Sequence, residues 1–86
     1  MKYLEKQLKV LANRRRLNIL KHLKTNREAA VGEIAGIIRL SFRSTSKHLG
    51  VLAAAEVIEK DQRGLQMFYR LAGTHPPAVK YIISLL

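Results

Sequence analysis

Between Ile34 and Leu71 the chain sets out, in order, a short apolar-faced helix, a tight turn, a helix opened by serine, and a hairpin with glycine at its tip. Few folds accept that order. Ile34, Ile37 and Ile38 give the first helix, over about 32–38, an inward side. Arg39-Leu40-Ser41 then makes the turn, and the Ser41 hydroxyl is the natural cap of a second helix reaching to about residue 55. Two short helices joined by about three residues form a helix-turn-helix unit.

The second helix has two faces when it is stepped at about 100° per residue. Thr45, Leu49 and Leu52 fall on one side, and Arg43, Lys47, Gly50 and Ala54 fall opposite. The first group packs and the second faces outward. An exposed face serving only solubility would carry Glu and Lys throughout, whereas this one has two cations followed by two very small residues. Such a face fits into a groove.

Beyond Glu56, Val57-Ile-Glu-Lys-Asp-Gln62 and Gln66-Met-Phe-Tyr-Arg-Leu71 are strand-like runs separated by Arg63-Gly64-Leu65. Gly64 can take the positive φ that a hairpin tip requires, so residues 57–72 form a wing. Ahead of the unit, Leu4, Leu8 and Leu11 form an apolar stripe on a helix over about 3–11. Asn13 caps a further helix over about 14–24, buried through Leu17, Leu20 and Leu23 with Ile19. Ala30-Val31 could add a short strand before the third helix. After Pro76 and Pro77, Val79, Ile82, Ile83 and Leu86 repeat at helical spacing, again without an obvious cover inside the chain.

Eighty-six residues without an internal repeat or low-complexity stretch make one domain, 1–86. The absence of cysteine excludes disulfides, thiolate metal sites and sulfur redox switching. Sixteen Lys and Arg against six Asp and Glu leave +10, a density of charge that favours a polyanionic partner, nucleic acid or an acidic membrane surface. No apolar run approaches the roughly 20 residues that span a bilayer, and the N-terminus lacks the pattern of a signal peptide, so a cytoplasmic location is expected. Catalysis has nothing to stand on: Asp61 is the only aspartate, and there is no Gly-rich phosphate loop, nucleophile elbow or metalloprotease His-Glu pair. His22 and His75 are isolated and have no carboxylate at ligand spacing.

The segments Leu11-Ala-Asn-Arg-Arg-Arg-Leu-Asn-Ile-Leu20, Ile34-Ala35, Leu40-Ser41, Ser44-Thr-Ser-Lys-His-Leu-Gly-Val-Leu52 and Phe68-Tyr-Arg-Leu71 together resemble the ArsR-type family of winged helix-turn-helix transcription repressors, small homodimers of bacteria and archaea. The resemblance covers most of the chain. It implies a mainly α fold with an α+β wing, in the order α-α-α-α-β-β-α, dimerised through its first and last helices and repressing a promoter until a signal releases it. Leu4, Leu8, Leu11, Val79, Ile82, Ile83 and Leu86 would then be buried against a second copy, with the dimerisation helices at about 2–12 and 76–86. The chain departs from the family at Arg39 and Glu56, where glycine is usual, so both bends must be made by residues carrying a side chain. The cysteine motif of metal-sensing members would fall near Val31-Gly32-Glu33 and is missing, and the last helix lacks the Asp and His of the family's other metal site. No metal and no cofactor is therefore expected.

Arg43 and Lys47 lead the candidate DNA contacts, because cations donate to guanine O6 and N7 and the N-terminal half of such a helix enters the major groove. Ser44 and Ser46 could bond bases or phosphates. Phe42 either touches a thymine methyl or roofs the core, and His48 either packs or reads a base. In the wing, Arg63 is placed for a minor groove or a phosphate, with Lys60, Gln66 and Arg70 behind it. The expected partners are double-stranded DNA and a second copy of the chain, with no membrane, and the expected role is sequence-specific regulation at a palindromic operator. The alternative is a basic module that binds RNA or a protein without reading DNA sequence. A third possibility is attachment to a membrane surface through the basic terminal helices.

Overall fold

A computed structural model describes residues 1–86. It contains α1 (Lys2–Leu11), α2 (Arg14–Asn26), β1 (Glu28–Ala30), α3 (Val31–Ile38), α4 (Phe42–Ala54), β2 (Ile58–Arg63), β3 (Gln66–Leu71) and α5 (Pro77–Ser84). Local chemistry starts the two longest helices. The Asn13 side chain accepts from the N–H groups of Arg15 and Arg16 at 3.0 and 3.1 Å, and Ser41 Oγ accepts from Ser44 N–H at 3.1 Å.

The core gathers one side of each helix. Ile19, Leu20 and Leu23 of α2 meet Val31, Ile34 and Ile38 of α3, Leu49 and Leu52 of α4, and Val79 and Ile83 of α5. In α3 the buried set is thus Val31, Ile34 and Ile38, whereas Ile37 is 47% exposed. The helix begins one residue earlier than the sequence suggests, and Val31 takes the inward place assigned to Ile37. Leu17 is half-buried, and α2 runs two residues further, to Asn26.

The sheet has three strands in the order β1-β3-β2, all antiparallel, so the wing is wider than a hairpin alone. Glu28 pairs with Arg70 and Ala30 with Phe68, which places the short strand two residues ahead of the Ala30-Val31 position. Pairing, not propensity, makes it a strand. At the tip Arg63 faces Gln66 across Gly64-Leu65, and Gly64 has φ +63°. Positive φ at the first loop position alone matches a II′ hairpin turn.

Both glycine-free bends nonetheless use the left-handed region. Arg39 sits at φ 56°, ψ 50°, while Leu40 N–H closes back on Ala35 O at 3.1 Å. Glu56 has φ 60°, and two bonds close over it: Glu56 N–H to Ala53 O at 3.0 Å and Val57 N–H to Leu52 O at 3.0 Å. That pair of bonds is a Schellman cap, with Leu52 and Val57 both buried beneath it. The missing glycines therefore leave the turn geometry intact and add strain to it. Arg27, after α2, is a third such residue at φ 65° and ψ −50°.

The terminal helices are covered more than the sequence suggests. α5 packs on α1 and α2, and Lys24 Nζ donates to the Ile83 and Ser84 carbonyls at 3.3 Å. Leu11, Val79 and Ile83 are consequently buried within one chain, and Ile82 and Leu86 are half-buried. What stays open along this pair is Leu4 at 39% and Leu8 at 44% exposure, together with Met1, Tyr3, Tyr81 and Leu85. No helix is long and apolar enough to cross a membrane.

Candidate nucleic-acid interface

α4 follows the two-faced pattern of its sequence. Thr45, Leu49 and Leu52 are fully buried, and Arg43, Lys47, Gly50 and Ala54 are exposed. The helix contains no carboxylate, and neither Arg43 nor Lys47 takes part in an ion pair. A Cβ built on Gly50 would meet nothing within 4 Å, so its small size leaves the outer face flat without being required by packing. Ser44 and Ser46 lie half-buried on the flanks of this face. Phe42, 64% exposed at the start of the helix, does not roof the core, which removes one of its two readings.

His48 resolves differently. It is half-buried, and its Nδ1 accepts from Arg16 Nε at 3.2 Å. Burial and the charges of Arg16, Arg15 and Lys47 hold its pKa below the usual histidine value. The sequence offers no local sign of this contact, since Arg16 lies 32 residues away.

The wing separates its candidates. Lys60 and Gln66 are exposed, and strand alternation puts Lys60 on the face opposite Arg63. Arg63 itself is not the free cation that a hairpin tip suggests. Its Nη1 and Nη2 donate to the two Glu28 oxygens, both at 2.8 Å, its Nε donates to Asp61 Oδ2 at 3.0 Å, and its guanidinium lies 4.5 Å from the Phe68 ring centre. The paired guanidinium lowers the Glu28 pKa, and the two carboxylates raise that of Arg63. Arg70 is likewise held, by Glu59 at 3.2 Å and Asp61 at 3.6 Å. Each contact is solvent-exposed and individually weak, but together they form a bidentate, multi-residue network on one sheet face.

The two remaining histidines also have partners. His22 Nε2 lies 2.6 Å from Glu33 Oε2, so the view of His22 as isolated is corrected by a carboxylate eleven positions on. His75 Nε2 donates to Val57 O at 2.8 Å and ties the segment after the wing to its base. No group of three or more His, Cys, Asp or Glu side chains is arranged around a common metal position.

No family model matches the sequence. The transcriptional activator HlyU of Vibrio cholerae is 38% identical over 79 residues, covering 92% of this chain and 69% of HlyU. The structure of reduced HlyU superposes with a TM-score of 0.83 at 34% identity, over 99% of this chain and 85% of that one. The homodimeric winged helix-turn-helix DNA-binding domain of Mb0332 from Mycobacterium bovis, described as a possible ArsR-family regulator, gives 0.81 at 31% identity, over 98% and 74%. This chain belongs to the ArsR-type family of winged helix-turn-helix transcription regulators. A further family structure, the AntR antimony-specific transcriptional repressor, matches with a TM-score of 0.76 at 27% identity, over 91% of this chain and 68% of that one. These relatives are regulators of transcription and not enzymes, which agrees with a chain that offers no catalytic constellation.

Proposed function

We propose that the protein is a homodimeric regulator that reads a palindromic operator in double-stranded DNA, each copy laying α4 in a major groove about 34 Å from the other. One observation carries the reading: α4, the second helix of the helix-turn-helix, exposes Arg43 and Lys47 with no carboxylate anywhere on the helix. Arg43 and Lys47 donate to base edges, Ser44, Ser46 and the capped helix start hold phosphates, and Phe42 meets a thymine methyl. Lys60 and Gln66 serve the wing, and Arg63 joins them only by exchanging Glu28 or Asp61 for a phosphate.

The dimer forms on the open side of α1 and α5, where Leu4 and Leu8 are joined by Tyr81 and Leu85, residues whose exposure the helical spacing did not reveal. Ile82 and Leu86 flank this surface, while the buried Leu11, Val79 and Ile83 support it from beneath. The homodimeric relative supports this assembly. Repression follows where the operator overlaps a promoter. The relatives include both an activator and a repressor, so operator placement sets the sign. With duplex DNA as the partner, the site of action is the cytoplasm.

The decisive experiment is selection of bound duplexes from a random pool, followed by binding to the selected sequence. The wild-type protein is expected to enrich an inverted repeat, and Arg43→Ala with Lys47→Ala to bind all duplexes alike. Equal wild-type binding to any duplex and to structured RNA would replace operator reading with a general polyanion-binding role.

A further inference from the structure

Arg16 lies in the first turn of α2 beside the exposed Arg14 and Arg15, yet its own side chain turns inward. Its Nε donates to His48 Nδ1 at 3.2 Å, and its Nη1 donates to the Val10 carbonyl at 3.0 Å. One guanidinium therefore joins three helices: α2, which carries it, the last turn of α1, and the middle of α4.

The chemistry of the contact fixes the ring. A guanidinium has only donors, and an imidazole nitrogen accepts only through a lone pair, so Nδ1 is unprotonated and the neutral ring carries its proton on Nε2. Nε2 bonds to no other group in the chain and is not sealed in the interior. Partial burial, and then the neighbouring cations Arg16, Arg15 and Lys47, disfavour a second proton. α4 thus presents, between its cationic face and its buried face, a neutral N–H whose direction is set from another helix.

We propose that Arg16 is a positioning residue for DNA reading, locking His48 as the Nε2–H tautomer so that α4 offers a fixed hydrogen-bond donor to the duplex while remaining tied to α1. The inference rests on operator reading by α4. A donor in this position suits a purine N7, guanine O6 or thymine O4, and it cannot accept from the amino groups of adenine or cytosine. The tautomer is therefore a specificity element. The tie through Val10 also links the reading helix to the first terminal helix.

Long-range nitrogen–proton correlation of the imidazoles in the full ¹⁵N-labelled chain near neutral pH reads the tautomer directly. His48 is expected to show a protonated Nε2 and a bare Nδ1. Protonated Nδ1, or an even mixture, overturns the proposal. Arg16→Lys keeps the charge but not the planar fork, and should bring in the second tautomer and weaken binding to the selected operator three- to tenfold, the loss of about one hydrogen bond, with binding to unrelated duplex unchanged. His48→Asn retains an acceptor near Nδ1 and removes the Nε2 donor. It should lose a similar factor, and adding Arg16→Lys should cost nothing further; additive losses refute the coupling. Should Arg16→Lys fail to fold, the wild-type tautomer and the His48→Asn affinity still decide. If the wild type selects an operator and these variants bind it equally well, this inference alone falls; if the wild type selects none, operator reading falls and takes this inference with it.

Discussion

Thr45 lies at the centre of the packed face of α4 with 0% exposure, and its Oγ1 has no hydrogen-bond partner. A buried hydroxyl left unpaired costs about 1–3 kcal/mol, because it surrenders its water and gains nothing in return. Thr45→Val replaces that oxygen with a methyl of nearly the same size. β-branching is kept, and threonine and valine rank together in helix propensity, so neither side-chain entropy nor backbone preference shifts much. The gain should be about 1–2 kcal/mol. For a domain of this length each kcal/mol moves the melting midpoint by roughly 4–8 °C, which predicts a rise of about 4–16 °C. Thr45→Ser is the counterpart: it keeps the unpaired hydroxyl and deletes a buried methyl, and should lose about 1 kcal/mol. Thermal and urea unfolding followed by circular dichroism at one fixed protein concentration measure both, since dimer dissociation would otherwise mix with unfolding. Operator affinity should not change, as Thr45 faces away from the outer side of α4. A valine variant that melts at or below the wild type would show that the hydroxyl is satisfied in solution and would refute the reasoning.

Arg27→Gly should stabilise by about 1 kcal/mol, because φ 65° with ψ −50° strains any residue bearing a Cβ by more than the added freedom of an unfolded glycine costs. Arg27→Ala should not, and equal urea midpoints for the two would remove strain as the cause. Stability should also fall on acidification. His48 has its folded pKa below the unfolded value, so the unfolded chain binds more protons, and stability that is complete above about pH 6.5 declines as the pH drops through the histidine range. Glu28 acts in the same direction at lower pH, in the carboxylate range. Urea midpoints across that range should show a slope that flattens near the histidine range in His48→Asn, and an unaltered slope there would remove His48 as its source. Leu4→Glu with Leu8→Glu should give a monomer in sedimentation and weaken operator binding by roughly 10²-fold, as two half-sites are no longer engaged together; an intact dimer would move the interface elsewhere.

The helix-turn-helix was legible because α4 has an uninterrupted period and a single buried face, so stepping about 100° per residue sorts Thr45, Leu49 and Leu52 from Arg43 and Lys47 without knowledge of any neighbour. Ile37 was misassigned for the opposite reason. An eight-residue helix has two turns, too few to fix a face by spacing alone: Ile34 and Ile38 face inward as expected, but the third buried position is Val31 and Ile37 falls outside. β1 is placed only approximately by sequence, at Ala30-Val31, since Glu28-Ala-Ala30 has little strand preference and becomes a strand only by bonding to β3, some forty residues later. The cover over α5 was hidden similarly, because Lys24 reaches its C-terminal carbonyls from 59 and 60 residues away. Contacts that decide the site have the same character: Arg63 meets Glu28 at a separation of 35, and Arg16 meets His48 at 32. Sequence shows a side chain's charge, but only the fold shows whether that charge is already answered.

The wing face that joins Arg63 and Arg70 to Glu28, Glu59 and Asp61 has a consequence for how binding responds to salt. A protein gains from ionic strength being low by letting its cations displace the small ions condensed on DNA. Guanidinium groups that carry their own carboxylates displace none. The slope of affinity against salt should therefore report α4, Lys60 and the basic N-terminal turns, and should fall short of what sixteen Lys and Arg suggest. Neutralising Glu28 would leave Arg63 with Asp61 alone and make the slope steeper, so that the wing's share of the contact is set by an acid on the edge strand β1 beside the hairpin.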